Sequence, residues 1–250
     1  MIQATKGHAK MTPLIFAWNV VEEGAEMRFL DDLEKYRGCG GRNEAGQTLE
    51  EFLEEYDAKK YDCPSNTVDM LIFKKCGESA SSWKLLMIKR RNHPNIGFWA
   101  LPGGFVELRE DLETAARREL EEETGITGLP MIQLHTYGNV DRDPRWRIIT
   151  TAYLTLIEED IRAEAGDDAA DAAWFEVSEE VRREGDKDLI TLKFCQPESG
   201  LTMEAGVERT CRSAGLLREY RYKMVSTSGL AIDHGSLIAQ AIDYLKSQER

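Results

Sequence analysis

Three glutamates, Glu119, Glu122 and Glu123, fall on the side of a short amphipathic segment that ought to face the protein interior. With Leu112 at zero and about 100° of turn per residue, Ala115, Ala116 and Leu120 lie within about 80° of it and make an apolar stripe. Glu119, Glu122 and Glu123 fall in the same arc, at about −20°, −80° and +20°. A buried, unpaired carboxylate is costly, and three close together also repel one another. A hard divalent cation, which takes oxygen ligands, offsets both penalties. Mg²⁺ shared between carboxylates and a phosphate-bearing substrate is a recurrent arrangement, so these three residues point to phosphate chemistry.

The residues around them are equally constrained. Gly104, Glu110, Arg118, Glu119, Leu120, Glu122, Glu123, Gly125 and Ile126 stand within the run GFVELREDLETAARRELEEETGI. Each occupies the place that the Nudix hydrolase signature assigns to its residue type, so the segment resembles that signature throughout. An acidic surface helix would also be rich in glutamate, but it has no need of the two glycines at these spacings. The likeness continues through Ser65 to Ile72, the run GFWALPGGFVE, Arg142-Asp143-Pro144-Arg145, the segment GDDAADAAWFEV and the run IDHGSLIAQAI. Together they are similar to one Nudix branch, which contains ADP-ribose pyrophosphatases and regulators of NAD metabolism, over about residues 50 to 250.

The resemblance implies specific roles. Glu119, Glu122 and Glu123 are the expected catalytic set and, with the backbone carbonyl of Gly104, the expected ligands of Mg²⁺ or Mn²⁺. Water would attack one phosphorus of a nucleoside diphosphate linked to a second group. The proton acceptor stays open between Glu122, Glu123 and a carboxylate elsewhere. Gly104, Glu110, Arg118 and Gly125 are expected to shape the motif. Arg118, at about 240° from Leu112, points away from the metal face and reads as structural, pairing with Glu110 or Glu107.

Substrate binding is expected from Arg142, Arg145 and Trp99. The arginines sit in a turn made by Asp143-Pro144, where their guanidinium groups suit phosphate oxygens but are also suited to plain solvation. Trp99 has two readings, stacking on a base or packing the core beneath its loop. His234 after Asp233 reads as part of a helix cap, with a substrate contact as the alternative. Asp168 and Glu176 fall where later loops of the branch approach the metal. Asp69, on the first core strand, either faces substrate or is satisfied at a strand edge.

The elements that must position these residues are legible as patterns. Apolar runs at Val68 to Phe73, Lys84 to Lys89 and Ile148 to Ile157 predict strands, as do Trp174-Phe175, Leu189 to Phe194 and Leu217 to Val225. Asp111 is the expected N-cap and Gly125 the expected stop of the glutamate helix. A closing helix is expected from Gly235 to Lys246, with Asp233 as its cap. Residues 1–48 read as an N-terminal extension, with a strand at Leu14 to Val21 and a short helix at Glu26 to Tyr36. Residues 49–250 read as the Nudix domain, with 178–230 a strand-rich insertion that lengthens the sheet, covers substrate or meets a partner. The fold class is therefore α/β or α+β: an α/β/α sandwich with a mixed sheet.

Composition bounds the rest. A net charge of −13 argues against nonspecific nucleic-acid binding, which needs a basic stripe. It also means that a pyrophosphate substrate requires local arginines and a cation. Five dispersed cysteines, none in a CxxC pair, predict neither a disulfide framework nor a zinc site, and a reduced, cytoplasmic protein is the expectation. No run of about 18 apolar residues predicts a membrane span. The expected partners are a small nucleotide substrate and, by resemblance, a second copy in a homodimer. Two alternatives remain: an ADP-ribose-sensing transcriptional regulator, and a housecleaning nucleotide pyrophosphatase.

Overall fold

The computed structural model describes residues 29–30, 32–76, 83–163 and 169–248. The strand expected at Leu14 to Val21, the beginning of the Glu26 to Tyr36 helix and Asp168 lie outside the described residues. The chain divides into two units between Asp62 and Cys63, later than the boundary expected at residue 48. In the first unit a 3₁₀ turn spans Glu34–Tyr36 and α1 spans Leu49–Glu55. Thr48 and Glu51 form a reciprocal capping box that starts α1. Arg37 pairs with Glu50 and Arg42 with Glu51, so α1 is tied to the residues before it, which explains the later boundary.

The second unit is built on a ten-stranded mixed sheet. Its strands are β1 (Ser65–Lys75), β2 (Trp83–Arg90), β3 (Trp99–Ala100), β4 (Gly103–Phe105), β5 (Ile132–Tyr137), β6 (Ile148–Ile157), β7 (Ala169–Glu184), β8 (Lys187–Gln196), β9 (Leu201–Ala214) and β10 (Leu217–Thr227). They run in the order β10-β9-β8-β7-β2-β1-β6-β5, with β3 added to β2 and β4 to β1. Among these strands β1 and β6 pair in parallel, and the other strand pairs of the described residues are antiparallel.

Strand β1 shows why two helical layers form. Val68 through Phe73 are all buried, so both faces of the strand must be covered. Val68, Met70 and Ile72 pack with Ala115, Ala116 and Leu120 of α2 (Leu112–Thr124). Leu71 and Phe73 join Leu237, Ile238, Ala241, Ile242 and Leu245 of α3 (His234–Gln248) on the opposite face. This is the expected α/β/α arrangement. Leu112 departs from its expected place in the apolar stripe: it is the first residue of α2 and is 36% exposed, while Thr124 and, just past the helix, Ile126 are buried.

Strands β7 to β10 continue the sheet well beyond β2. Alternate residues Ile190, Leu192, Phe194 and Met203, Ala205, Val207 face the α3 side and extend its core. Asp188 receives Arg183 and Arg209, and Arg209 also bonds Asp243 of α3, which accepts from the Tyr222 hydroxyl as well. That ionic knot ties α3 to the extension. Among the described residues no helix is long and apolar enough to cross a membrane.

Candidate active site

Three backbone devices place the glutamates. Gly125 ends α2 with φ 69°, a left-handed conformation that glycine adopts without steric cost. At Gly104 an added Cβ would lie 2.3 Å from the Glu119 carboxyl, so only glycine lets that carboxyl press against the strap between β3 and α2. At Gly103 an added Cβ would meet the Val68 carbonyl at 2.2 Å, and the Gly103 N–H donates to Glu123 Oε2 at 2.7 Å. Asp111 occupies the N-cap position, but its side chain makes no capping bond.

These devices put Glu119 and Glu123 on the wall of a cavity of about 350 Å³ at the end of the sheet. Burial raises the Glu119 carboxyl above its ordinary range. It pushes Glu123 up to about 8, with the charges of Glu119 and Asp69 adding to the shift and the Gly103 N–H opposing it. Glu122, at the edge of the helical arc, does not line the cavity; its side chain is 58% exposed and bonds Arg118.

Arg118 is the hub of the motif. Its Nε and Nη2 grip both oxygens of Glu110 at 2.9 Å, and Nη2 also reaches the Phe105 carbonyl. Pairing with Glu110 is the expected structural role. The guanidinium does not point away from the acidic cluster as its helical angle predicts, because its length carries Nη1 back to Glu119 at 2.7 Å and Glu122 at 3.0 Å. Arg118 is therefore the counterion of two of the three signature glutamates. Among the described residues, no group of three or more His, Cys, Asp or Glu side chains stands converged around one point. The donor chemistry nonetheless fits a hard divalent cation: carboxyl oxygens only, two of them raised by burial, beside a backbone that just admits them.

The same cavity is also lined by arginines, and sequence reasoning found only part of that set. Arg145 lines the cavity, held by Asp143 through bonds of 3.0 and 2.8 Å, and its guanidinium lies 5.4 Å from the centre of the Phe105 ring. Arg142 also lines it but is committed to Asp233 by two bonds, with Asp69 at 3.8 Å. Its side chain is 3% exposed, so it buttresses the wall.

Arg90 was missed. It closes β2, its Nε donates to the Pro94 carbonyl, and no carboxylate among the described residues lies within ion-pairing distance of it. Burial lowers its pKa, and the neighbouring Arg145 charge adds to the effect. Two neighbouring arginines, one of them without an ion-paired carboxylate, have the chemistry to receive an anion. The available sequence cue was an arginine at the end of a core strand, just before the turn-rich run at His93-Pro94.

Trp99 is not a stacking platform. It is 4% exposed and meets Phe175 edge-on at 4.7 Å, so it belongs to the core. The aromatic ring that lines the cavity is Phe105, which is 47% exposed. Asp69 lines the cavity too, accepting from Thr150 at 2.6 Å. The side chain of Asp233 holds Arg142 and leaves the start of α3 to backbone bonds. His234 is buried, and its Nδ1 accepts from the Leu101 N–H at 2.9 Å. Glu176 lies apart from this cavity, pairing with Lys84 across β7 and β2.

A family model described as a NUDIX domain matches residues 65–192. The chain is 35% identical over 153 residues to the ADP-ribose pyrophosphatase of Methanocaldococcus jannaschii, covering 60% of this chain and 85% of that one. It is 42% identical over 108 residues to the ADPR responsive transcriptional repressor NtrR of Acinetobacter baylyi, and there it spans only 42% of the relative's length. A crystal structure of a MutT/nudix family protein from Enterococcus faecalis matches with a TM-score of 0.56 at 30% identity, covering 80% of this chain and 70% of that one.

Proposed function

This chain belongs to the Nudix family, and from that premise we propose that it is a hydrolase of the pyrophosphate bond in a nucleoside diphosphate linked to a second group, with ADP-ribose or a related nucleotide sugar as substrate. The observation that carries this reading is one cavity lined both by the carboxyls of Glu119 and Glu123 and by the neighbouring arginines Arg90 and Arg145. A diphosphate needs both: arginines for its outer oxygens, and a carboxylate-held cation to bring it beside an acidic wall.

Glu119, Glu123 and the Gly104 carbonyl, with Glu122 of the same helix, are the groups that would hold Mg²⁺ or Mn²⁺. When bound, such a cation neutralises phosphate charge and lowers the pKa of water. Arg90 and Arg145 bind the diphosphate oxygens and fix the phosphorus in line for attack. Phe105, beneath the Arg145 guanidinium, offers a ring face to the base or sugar. The signature glutamates also supply the acceptor for the proton of the attacking water.

Incubating the purified protein with Mg²⁺ or Mn²⁺ and a panel of nucleotide sugars should release AMP from ADP-ribose. If no member of the panel yields a monophosphate, the proposal fails. Faster turnover of 8-oxo-dGTP than of ADP-ribose would favour a housecleaning role instead. The likeness to a repressor supports a second reading, in which the domain senses ADP-ribose. C-terminal to the matched domain the described residues form the end of β8, strands β9 and β10 and helix α3, with no compact basic recognition helix. A gel shift with sheared DNA at low salt separates the two readings. Homodimerisation and a cytoplasmic setting complete the proposal, and light scattering across a wide concentration range tests the first.

A further inference from the structure

Residues Gly229 to His234 run alongside β3, at the base of the strap that carries Gly103 and Gly104. The Trp99 N–H donates to the Gly229 carbonyl at 2.8 Å, and the Ala231 N–H donates to the Trp99 carbonyl at 2.8 Å. This is a short parallel bridge. The next N–H on that edge of the strap belongs to Leu101, which is 2% exposed and so needs a partner. By then the neighbouring chain has turned into α3 and no longer presents a carbonyl to it. The His234 ring supplies the acceptor, and Nδ1 takes the Leu101 N–H at 2.9 Å.

We propose that His234 is a positioning residue for the cation site, its ring standing in for the missing carbonyl so that the strap bearing Gly103 and Gly104 holds one geometry. The proposal rests on the hydrolase reading and assigns a role to a residue remote from the signature. The far side of the strap is already fixed, because the Met70 N–H donates to the Pro102 carbonyl and Gly103 and Gly104 pair with Asp69 and Val68. From that strap the Gly103 N–H holds Glu123, and Gly104 leaves space for Glu119. His234 Nε2 lies 3.6 Å from Asp69 Oδ1, and Asp69 is held in turn by Thr150. Because Nδ1 accepts, a neutral ring carries its proton at Nε2, on the side nearer Asp69. Its complete burial, which lowers its pKa, agrees with that state.

The test is Mn²⁺ binding by calorimetry, without nucleotide, on the full chain and three variants. An asparagine carries its acceptor close to where Nδ1 stands, whereas a glutamine carries it near Nε2. Expected results are a Kd weakened about tenfold in His234→Ala and His234→Gln, and held within about threefold of wild type in His234→Asn. If the alanine variant does not fold, the asparagine and glutamine pair decides, compared at matched thermal stability. Equal affinities in that pair overturn the proposal. Should the wild type itself bind no Mn²⁺, the hydrolase reading falls as well, whereas equal binding by all variants of a competent protein removes only the role of His234.

Discussion

Burial, with the charges of Glu119 and Asp69 adding to it, pushes the Glu123 carboxyl from an ordinary 4.5 up to about 8. A raised folded-state pKa means that the folded protein binds this proton more tightly than the unfolded chain. The associated stability is present below about pH 4.5 and is lost as pH climbs through 8. A cation competes for the same oxygens. Mn²⁺ should therefore raise Tm more at pH 8 than at pH 6 in scanning fluorimetry, and Glu123→Gln should remove most of that difference. The same substitution should cut turnover by roughly a hundredfold or more, as expected for a group that touches the reacting centre. Gly104→Ala puts a methyl group 2.3 Å from the Glu119 carboxyl, which has to leave. Its expected signature is loss of Mn²⁺ affinity, read by calorimetry, in a protein that still melts cooperatively. For the anion wall, Arg90→Lys keeps the charge but not the planar fork. Its KM for ADP-ribose should rise about tenfold or more, with Mn²⁺ affinity unchanged.

At the level of elements, α2 is the part most readable from sequence, since its stop, its buried alanines and its glutamates are local features. Its left-handed end makes a direct prediction: Gly125→Ala should cost about 1 kcal/mol, seen as a lower Tm with little change in KM. Strands β1, β2 and β6 were equally plain, because a strand buried on both faces is a continuous apolar run. Strand β9 was not. Its buried residues Met203, Ala205 and Val207 alternate correctly, but Gly206 and the small Ala205 dilute the pattern, and charged residues follow. Strand β5 is short and mostly exposed, so the brief alternation of Ile132 and Leu134 in IQLHTY is easily passed over. The site divides in the same way. Glu119 and Glu123 are set by helical spacing, whereas Arg90, Phe105 and His234 reach the cavity through strand pairing between distant segments, which no local pattern records. Trp99 shows the converse: a tryptophan in a turn-rich run more often packs the core than stacks on a ligand, and its burial decides for the core.

Across the whole molecule, the extension β7 to β10 shares one core with the strands around the site, and the knot of Asp188, Arg209 and Asp243 joins α3 to it. Arg209, then Arg183, hold the Asp188 carboxyl below its ordinary 3.8. A depressed pKa contributes stability that is present above that ordinary value and lost as pH falls through the lowered one. Asp188→Asn should therefore lower stability at pH 7 and flatten the acid side of the stability profile, measured by urea titration from pH 7 to 3. Net charge bears on function at this scale too. With −13 overall, the proposed anion binding has to come from local charge, and Arg90 and Arg145 of the cavity lining supply it in that reading.

The bridge between Trp99 and residues 229 to 231 also dictates an order of assembly during synthesis. Every signature glutamate and every arginine of the anion wall is translated well before Gly229. A nascent chain halted just short of that glycine already owns all the chemistry of the site, yet lacks the segment that completes the edge of its strap. Long-range pairing of this kind closes late. A ribosome-bound chain given a C-terminal linker long enough to fill the exit tunnel should thus acquire Mn²⁺ binding abruptly, as residues 229 to 234 emerge, and not gradually as the signature helix emerges.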